Sequence, residues 1–241
     1  MLLGCGVMIN WNNVAPEHRP AYDAWHCGEH MVGRLTIPGF LRGRRYIAAH
    51  PEQARRNFLT LYEVQDLAVL TGTDYLAKAN SPSPLTLRTT PLVLDSVRGL
   101  AGVRASHGAG MGGFALTLRF DPQPGAEDAL ERHITQRALP QIAQRPDIVG
   151  AHLMVADKTA SAMTPVERQG RPTTIPNWIV MLEGFTLAAV THAGEAAVSD
   201  ALLVANGCAN QIERDAYALQ FTLNSTHIAR EVFAEMQAKQ G

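Results

Sequence analysis

The chain has 241 residues, of which 46% are hydrophobic and 18% charged, and 21 basic against 22 acidic side chains give a net charge of −1. This composition is typical of a globular protein with a filled core, and it excludes the concentrated basic face that nucleic-acid-binding proteins need. No apolar run reaches the length of a transmembrane helix, and the three cysteines form no CxxC pair and no disulfide framework. We therefore expect a cytoplasmic protein without nucleic-acid or membrane partners.

The first half of the chain predicts the element order β-α-β-β-α-β. An apolar strand covers residues 2–11, and a helix extends from Pro16 to Thr36, because proline fits a first helical turn and the residue before Pro38 is disfavoured in a helix. The later elements are strands over 40–50, 58–64 and 96–105, a helix over 67–80, and an extended excursion that begins with the Ser-Pro-Ser-Pro segment 81–84. We expect these elements to form one module over residues 1–107.

The second half repeats this order after a glycine-rich segment. Residues 108–113 lack the Lys-Ser/Thr of a phosphate-binding loop and precede a strand instead of a helix, so they are interpreted as a linker. The predicted elements that follow are strands over 113–121, 148–156, 178–184 and 216–223, helices over 126–144 and 187–205, and a terminal helix over 225–240. The second predicted module thus spans residues 114–241 and carries an extra C-terminal helix.

Two alignments between the halves indicate a tandem duplication. Residues 58–71 align with 178–191, and residues 37–48 align with 145–156. The identical pairs in the first alignment are Glu63/Glu183, Leu67/Leu187, Ala68/Ala188 and Thr71/Thr191. The extra residues of the second half fall in 157–177, a Pro/Thr-rich loop that we expect to be mobile. Preserved order with weak identity is typical of an old duplication, and chance similarity between two such units is the alternative.

One stretch of the first half, YDAWHCGEHMVGRLTIPGFLRGRRY over residues 22–46, carries the densest chemistry. Structural residues should recur in both halves of a duplicated chain, whereas site residues need not. The aligned pairs that differ in chemistry are His26/Ile134, Glu29/Arg137, His30/Ala138 and Arg34/Ile142. This asymmetry predicts a site in the first module.

The helical spacing of this stretch predicts the roles of its ionisable groups. At about 100° per residue one face holds the apolar positions, and that face should pack on the sheet. Its residues are Tyr22, Trp25, Val32 and Thr36. Glu29 falls inside this stripe, His26 on its border and His30 just beyond. Because burial raises the proton affinity of a carboxylate, we expect Glu29 or His26 to move a proton and His30 to assist; a structural ion pair of Glu29 with an arginine is the alternative.

The same residues also match a metal-binding motif. His26-Cys-Gly-Glu-His30 matches H-x-x-E-H, and two histidines four residues apart on a helix can chelate one metal. A third ligand is missing, since the twin Glu183 indicates a structural role for Glu63. A divalent metal held by His26 and His30, with hydrolase or oxygenase chemistry, therefore remains an alternative. Cys27 as a thiolate nucleophile lacks a fixed base.

Three arginines on the second strand need partners. Arg42 and Arg44 share a face with Tyr46, and Arg45 points to the other face. An arginine in an apolar layer requires a carboxylate or an anionic ligand. Glu63 is the expected internal partner, and the alternative is that Arg44 or Arg45 holds a substrate carboxylate.

The motifs W-H-x-x-E-H (25–30), R-L-x-I-P-G-F (34–40), R-R-Y (44–46) and L-Y-E (61–63) resemble the EthD-like branch of the dimeric α+β barrel superfamily. The resemblance is strong over residues 5–80 and weak beyond 110. It implies an α+β fold in which two tandem ferredoxin-like modules pack sheet against sheet as one intrachain barrel, with a ligand cleft between sheet and helix. The superfamily includes cofactor-free monooxygenases, cyclases, isomerases, catabolic enzymes and haem proteins, so the fold carries over better than the function.

Together these observations predict a small-molecule enzyme without an organic cofactor. We expect isomerisation, cyclisation, decarboxylation or lactone hydrolysis of a hydrophobic, aromatic-derived acid, with His26, Glu29 and His30 as catalytic residues. The predicted substrate-binding residues are Asn10, Trp11, Trp25, Arg34, Arg45 and Tyr46. A non-catalytic small-molecule-binding or stress-response protein is the alternative, and the fused barrel leaves pairing into a homodimer open. Haem is not expected, because no histidine of the second half has a suitable context.

Overall fold

Eight antiparallel strands close into one barrel within residues 1–228, the part of the chain that the computed structural model describes. The strands are β1 (Gly6–Val14), β2 (Phe40–Ala48), β3 (Phe58–Val64), β4 (Val93–His107), β5 (Phe114–Phe120), β6 (Ile148–Ala156), β7 (Trp178–Gly184) and β8 (Glu213–Asn224). Their order around the barrel is β1-β3-β2-β8-β5-β7-β6-β4. The predicted fold class, two tandem modules that form one intrachain barrel, is confirmed.

The helices pack on the outer faces of the sheets. They are α1 (Arg19–Trp25), α2 (Met31–Leu35), α3 (Thr73–Asn80), α4 (Pro84–Thr89), α5 (Glu127–His133), α6 (Leu139–Ala143), α7 (Lys158–Ser161), α8 (Leu187–Val198) and α9 (Asp200–Ala205). A π-turn joins α1 to α2 and another joins α5 to α6, so each pair forms one continuous rod. One hydrophobic cluster fills the barrel interior, and separate clusters lie under the helices of each module.

Strand register supports the internal repeat. In the first half Gly6 lies opposite Val64, and in the second half Phe114 lies opposite Gly184, at the aligned positions. The β2–β3 pairing shifts register after Phe40, and the β6–β7 pairing shifts after the aligned Ile148. The two alignments made from sequence therefore place equivalent residues at equivalent points of the two sheets.

The two long strands connect the modules. β4 pairs with β1 of its own module and with β6 of the other, while β8 pairs with β5 and with β2. Each half thus completes the sheet of the other, as two subunits would in a dimer. Residues 108–113 lie between β4 and β5, and the module limits at 107 and 114 remain predictions from sequence.

A buried charge network occupies the barrel interior. Arg44 contacts Glu63 at 2.8 Å and also contacts Glu183 of the other module. Arg42 donates to both oxygens of Glu63 at 2.8 Å. Burial alone would raise the pKa of Glu183, but Arg44 and a neighbouring histidine hold it down to about 2. The expectation that Glu63 pairs with arginines of the second strand is confirmed for Arg42 and Arg44, and these charges compensate one another.

His152, which aligns with Arg44, completes this network from the second module. Its Nε2 lies 3.1 Å from Glu183 and its Nδ1 lies 2.9 Å from the Ser106 hydroxyl. Burial lowers the pKa of His152 despite the nearby carboxylate. A neutral imidazole that donates from Nε2 to Glu183 and accepts from Ser106 satisfies both contacts. Glu183 thus bridges the two halves through Arg44 and His152, while Glu63 binds arginines of its own module.

The segment Leu187–Ala205 is long and apolar enough to cross a membrane by composition alone. In the fold it is interrupted at Ser199, where the backbone is extended with ψ of 157°. Val190 and Ala193 of α8 are fully buried in the hydrophobic cluster of the second module. We interpret the segment as a core helix.

Two loops differ from their predicted form. The segment after Ser81 was expected to be extended, but it contains α4, because Ser83 caps the helix by accepting from the Thr86 N–H at 3.0 Å and Pro84 fits the first turn. The insertion 157–177 contains α7, which Asp157 caps. Ser225–His227 forms a short 3-10 turn, and residues 229–240 of the predicted terminal helix lie outside the described residues.

Candidate functional site

The π-turns His26–His30 and Ile134–Ala138 lie at aligned positions of the two modules. A π-turn adds one residue to a helical turn and so rotates the residues that follow it. In the first module His26 and His30 line the cleft between helix and sheet, whereas Glu29 turns to one side. The helical spacing used for the sequence prediction assumes a regular α-helix, which is why it placed Glu29 in the buried stripe.

The cleft holds a cavity of about 60 Å³. The helix, the outer face of the sheet, the excursion before β4 and the insertion 157–177 all contribute to its wall. The lining residues are Met8, Asn10, Asn12, Tyr22, Trp25, His26, His30, Arg34, Thr60, Tyr62, Thr90, Val93, Ser96, Arg98, Glu167, Arg168 and Arg171. The site therefore combines two histidines, several hydroxyl and amide groups and four arginines around a small space.

Five predicted site residues meet at this cavity: Asn10, Trp25, His26, His30 and Arg34. Their side chains come from β1 and from the helical rod, which face each other across the cleft. The oxygen Oδ1 of Asn10 is buried and has no hydrogen-bond partner within the described residues. A ligand in the cavity can therefore satisfy it.

Glu29 lies in a neighbouring crevice. Its carboxylate accepts hydrogen bonds from the hydroxyls of Ser83 and Thr86, the latter at 3.2 Å. Glu29 is half-buried and does not line the cavity that contains His26. The arginine pair that was the alternative for Glu29 is absent from its contacts in residues 1–228, where two hydroxyl groups bind the carboxylate instead.

Trp11 and Tyr46 lie in the barrel interior instead of the cleft. The Trp11 indole packs 4.5 Å from the Arg119 guanidinium, and the Tyr46 hydroxyl accepts from Arg44 at 2.9 Å. Both side chains are fully buried in the interior cluster. The structure therefore does not bring these two predicted substrate-binding residues together with His26.

Arg45 lies between the helix and the sheet, behind the cavity. It pairs with Asp23, and its guanidinium lies 4.7 Å from the ring centroids of both Tyr22 and Phe58. Its positive charge still reaches His26 and lowers the pKa of that imidazole. Arg45 thus has an internal carboxylate partner and acts on the site through the protein.

His26 is a buried, neutral imidazole. Only 4% of the residue is exposed, and burial together with Arg45 lowers its pKa to about 3. Its Nε2 lies 3.3 Å from the Thr60 hydroxyl, and its Nδ1 has no partner within the described residues. When Nε2 carries the proton and donates to Thr60, the free Nδ1 lone pair can accept a proton.

His30 lies beside His26, with ring centroids 5.7 Å apart, and packs 4.5 Å from the Trp25 ring. Burial, Arg34 and His26 hold its pKa well below the ordinary value. Tyr62 approaches from the sheet; its hydroxyl is buried without a partner in residues 1–228, and burial raises its pKa. The site thus offers two neutral imidazoles and one protonated phenol without a partner, since the other lining tyrosine, Tyr22, already donates to Asn12.

The arginines give the cavity an excess of positive charge. Arg34 pairs with Glu167. Arg98 is only 2% exposed and donates to the Tyr75 hydroxyl at 2.9 Å, but its Nη1 has no partner. Arg168 donates to a threonine at 2.8 Å, and burial together with Arg98 and another arginine lowers its pKa to about 9.

Within residues 1–228, no carboxylate forms a salt bridge with Arg98, Arg168 or Arg171. A guanidinium that is taken out of water without a counter-ion is unfavourable. Guanidinium groups also bind carboxylates and phosphates with two parallel hydrogen bonds. The arrangement is therefore suited to an anionic ligand.

Sequence reasoning missed Tyr62, Arg98, Glu167, Arg168 and Arg171. The comparison between halves could have found Tyr62, because the aligned residue in β7 is Leu182. The insertion residues have no counterpart in the first half, so no aligned position marks them. Arg98 lies within the predicted strand 96–105 and within the observed β4, but it was not considered as a site residue.

The equivalent cleft of the second module is apolar. The aligned pairs are Met8/Leu116, Asn10/Leu118, Asn12/Phe120, His26/Ile134, His30/Ala138, Arg34/Ile142, Thr60/Val180 and Tyr62/Leu182. All eight residues of the second module belong to one buried hydrophobic cluster. The same scaffold thus carries a polar cavity in one half and a packed core in the other.

The cavity fits a metal ion or haem poorly. Residues 1–228 contain no group of three or more His, Cys, Asp or Glu side chains placed to hold a metal. The arginines around His26 and His30 also repel a cation. A cavity of about 60 Å³ is too small for a porphyrin, and the cleft of the second module is packed with core residues.

No protein-family model matches the chain, and no curated protein matches it by sequence. Solved structures do. An anthrone oxidase-like protein aligns with a TM-score of 0.61 at 11% identity, over 91% of this chain and 92% of its own. A proposed monooxygenase from Fusobacterium nucleatum gives 0.60 at 9% identity, over 92% and 96%.

A heme-binding protein from Thermus thermophilus gives a TM-score of 0.51 at 12% identity, over 97% of this chain and 95% of its own. The alignments with these neighbours cover nearly the whole barrel, but their sequence identities are so low that they show similarity of fold and not of function. Combined with the closed sheet and the internal repeat, they show that the chain has the dimeric α+β barrel fold, with both ferredoxin-like modules in one polypeptide.

Proposed function

We propose that the first-module cleft binds a small organic acid as its anion and that His26 transfers a proton to or from this ligand without an organic cofactor. The observation that carries the proposal is the contrast between the two clefts. Buried polar groups are unfavourable unless they are satisfied, and the second module shows that this scaffold packs well without them. Their presence in the first module is best explained by a ligand.

The anionic end of the ligand would lie among the arginines. Arg34 was predicted from sequence to bind the substrate, and Arg98, Arg168 and Arg171 surround the same space. Arg98 and Arg168 lack a carboxylate partner within residues 1–228, so a ligand carboxylate would supply the missing counter-ion. This favours an acid over a neutral substrate.

Proton transfer would use the free nitrogen of His26. Its Nδ1 accepts a proton from a carbon next to a carbonyl group, and the electron pair of the broken C–H bond moves to the carbonyl oxygen. The buried Tyr62 hydroxyl, which stays protonated, can donate to that oxygen. The negative charge of a bound acid offsets the arginines and raises the pKa of His26 from its low unliganded value, which makes it a better base.

Glu29 is the alternative base predicted from sequence. Its hydrogen bonds to Ser83 and Thr86 and its place outside the cavity favour His26 for the proton transfer. His30 touches both the cavity and the crevice of Glu29. We therefore assign His30 the assisting role and expect Glu29 to affect the reaction weakly.

A second candidate is anion binding without chemistry. The cavity of about 60 Å³ is well below the roughly 300 Å³ of the smallest ordinary ligand sites. An aromatic acid would need to extend beyond the cavity, while a small anion would fit as it stands. Proton transfer from an aromatic acid therefore requires that the insertion 157–177 move to enlarge the cavity, or that part of the ligand lie outside the cavity.

Oxygen consumption by the protein can be measured with the same candidate acids that are used to test proton transfer. Two structural neighbours, an anthrone oxidase-like protein and a proposed monooxygenase, share this fold. A carbanion that proton abstraction produces can react with O2. Oxygen uptake that depends on His26 would make oxygenation the outcome of the proposed first step. Exchange without oxygen uptake would favour isomerisation or a related acid/base reaction.

The test is hydrogen–deuterium exchange at the carbon of candidate acids in D2O, followed by proton NMR. We expect His26→Gln to slow exchange by a factor of about 100 or more, since a positioned base contributes 10²–10⁴. Glu29→Gln should retain most of the rate, and His192→Gln on the exposed face of α8 is the matched control. Anion binding with no exchange of any aromatic-derived acid would favour the binding protein instead.

A further inference from the structure

A second space adjoins the cavity. It has a volume of about 780 Å³ and lies between the start of β4 and residues 169–174 of the insertion. The two spaces share wall residues, which are Thr90, Val93, Ser96 and Arg171. The outer groove and the inner cavity therefore lie directly against each other, on either side of these side chains.

The insertion forms the roof of both spaces through backbone contacts with β4. The Thr174 N–H donates to the Ser96 carbonyl at 3.0 Å, and the Arg98 N–H donates to the Thr174 carbonyl at 2.9 Å. The same segment brings Glu167 and Arg168 over the inner cavity. Inner cavity and outer groove are thus built by one strand edge and one loop.

The two spaces differ in chemistry. The inner cavity is cationic, as described above. The outer groove carries apolar side chains along its wall, namely Pro91, Val93, Leu94 and Pro172. Leu94 leaves 47% of its surface exposed. Two charged groups of the groove already have partners: Arg56 donates to the Asp95 carbonyl at 2.7 Å and pairs with Glu213, and the Asp95 carboxylate accepts from Asn13 at 2.9 Å. Arg171 lies at the boundary with the inner cavity and belongs to its cationic wall.

We propose that the two spaces form one bipartite site for an amphipathic acid, with the anionic group in the inner cavity and the apolar part in the outer groove. The occupant of the groove is the hydrocarbon or aryl remainder of the substrate. This inference rests on the proposed function for the orientation of the acid. It also resolves the size problem, because only the head group has to fit the small inner cavity.

The test is calorimetric titration of the whole protein with acetate, butanoate, hexanoate and octanoate. Each CH2 group that is buried in the groove should tighten binding about threefold to fourfold. Leu94→Asn should weaken octanoate about tenfold and leave acetate within about twofold, because the loss of one apolar wall affects only the tail. Leu87→Asn is the matched control, since Leu87 is 53% exposed and lies outside the groove.

The outcomes separate this proposal from the proposed function. Binding that is independent of chain length, or a Leu94→Asn variant that keeps the full chain-length dependence, would overturn the bipartite site and leave the anion cavity standing. Failure of every carboxylate to bind would overturn both. Chain-length dependence without any deuterium exchange would support the bipartite site and contradict the proton transfer.

Discussion

The replacement of Arg98 by methionine should stabilise the unliganded protein. Arg98 is almost fully buried, has an unpartnered Nη1 and forms no salt bridge within residues 1–228. Methionine has a similar length and carries no charge. A protein that keeps an unpaired buried cation for ligand binding should gain stability when that cation is removed, as happens when function opposes stability.

The size of the effect follows from two opposing contributions. Loss of the hydrogen bond to Tyr75, 2.9 Å long, costs about 1 kcal/mol. Relief of an unsatisfied, charged buried group contributes about 2 to 3 kcal/mol. The net gain of about 1 to 2 kcal/mol corresponds to a rise in Tm of roughly 2 to 8 °C for a chain of this size.

The assay is urea and thermal unfolding of the wild type, Arg98→Met and Arg44→Met. Arg44 is the matched control, because it is equally buried but contacts both Glu63 and Glu183. Removal of one partner from a buried charge network costs about 3 to 5 kcal/mol, so Arg44→Met should unfold far more easily. If Arg98→Met is destabilised to a similar extent, Arg98 is a structural residue and the reasoning from its missing counter-ion is wrong.

Three further outcomes are expected. Glu183→Gln should lose about 3 to 5 kcal/mol of unfolding free energy, while Glu195→Gln on the exposed face of α8 should stay within about 0.5 kcal/mol. His26 has a pKa of about 3 in the folded protein, against 6.5 for an ordinary histidine. Because the unfolded chain binds the proton first, the free energy of unfolding should fall as pH drops below 6.5, by up to about 1.4 kcal/mol per pH unit. Urea unfolding of His26→Gln at several pH values should lack this contribution. An arylsulfonate, whose charge is constant, should bind more tightly at pH 5 than at pH 7 by calorimetry, because its negative charge raises the pKa of His26. An affinity that does not change with pH would contradict this link between ligand binding and protonation of His26.

The fold could be predicted because duplication leaves a signal that does not depend on any single side chain. Glu63 and Glu183 repeat since each faces the barrel interior, where a carboxylate must meet an arginine from β2. The aligned prolines 38 and 146 end the helices at the same point in both halves. Periodicity and repeated turn residues therefore sufficed for the modules and their order.

The site was only partly predictable, for two physical reasons. The π-turn His26–His30 changes the angular position of Glu29, and no residue type in the sequence specifies such a turn. The insertion brings Glu167 and Arg168 to the cavity through backbone hydrogen bonds with β4, a long-range contact that local patterns do not encode. Asymmetry between the halves located His26 and Arg34, whereas residues without an aligned partner escaped it.

The most direct test of the central claim is an NMR titration of protein with ¹⁵N-labelled histidine against benzenesulfonate. The account predicts saturable shifts of the His26 and His30 ring signals, unchanged signals from the exposed His192, and loss of these shifts in Arg98→Met. Ring signals of His26 and His30 that stay constant at millimolar ligand, or shifts that persist in Arg98→Met, would contradict an anion site in the first-module cleft.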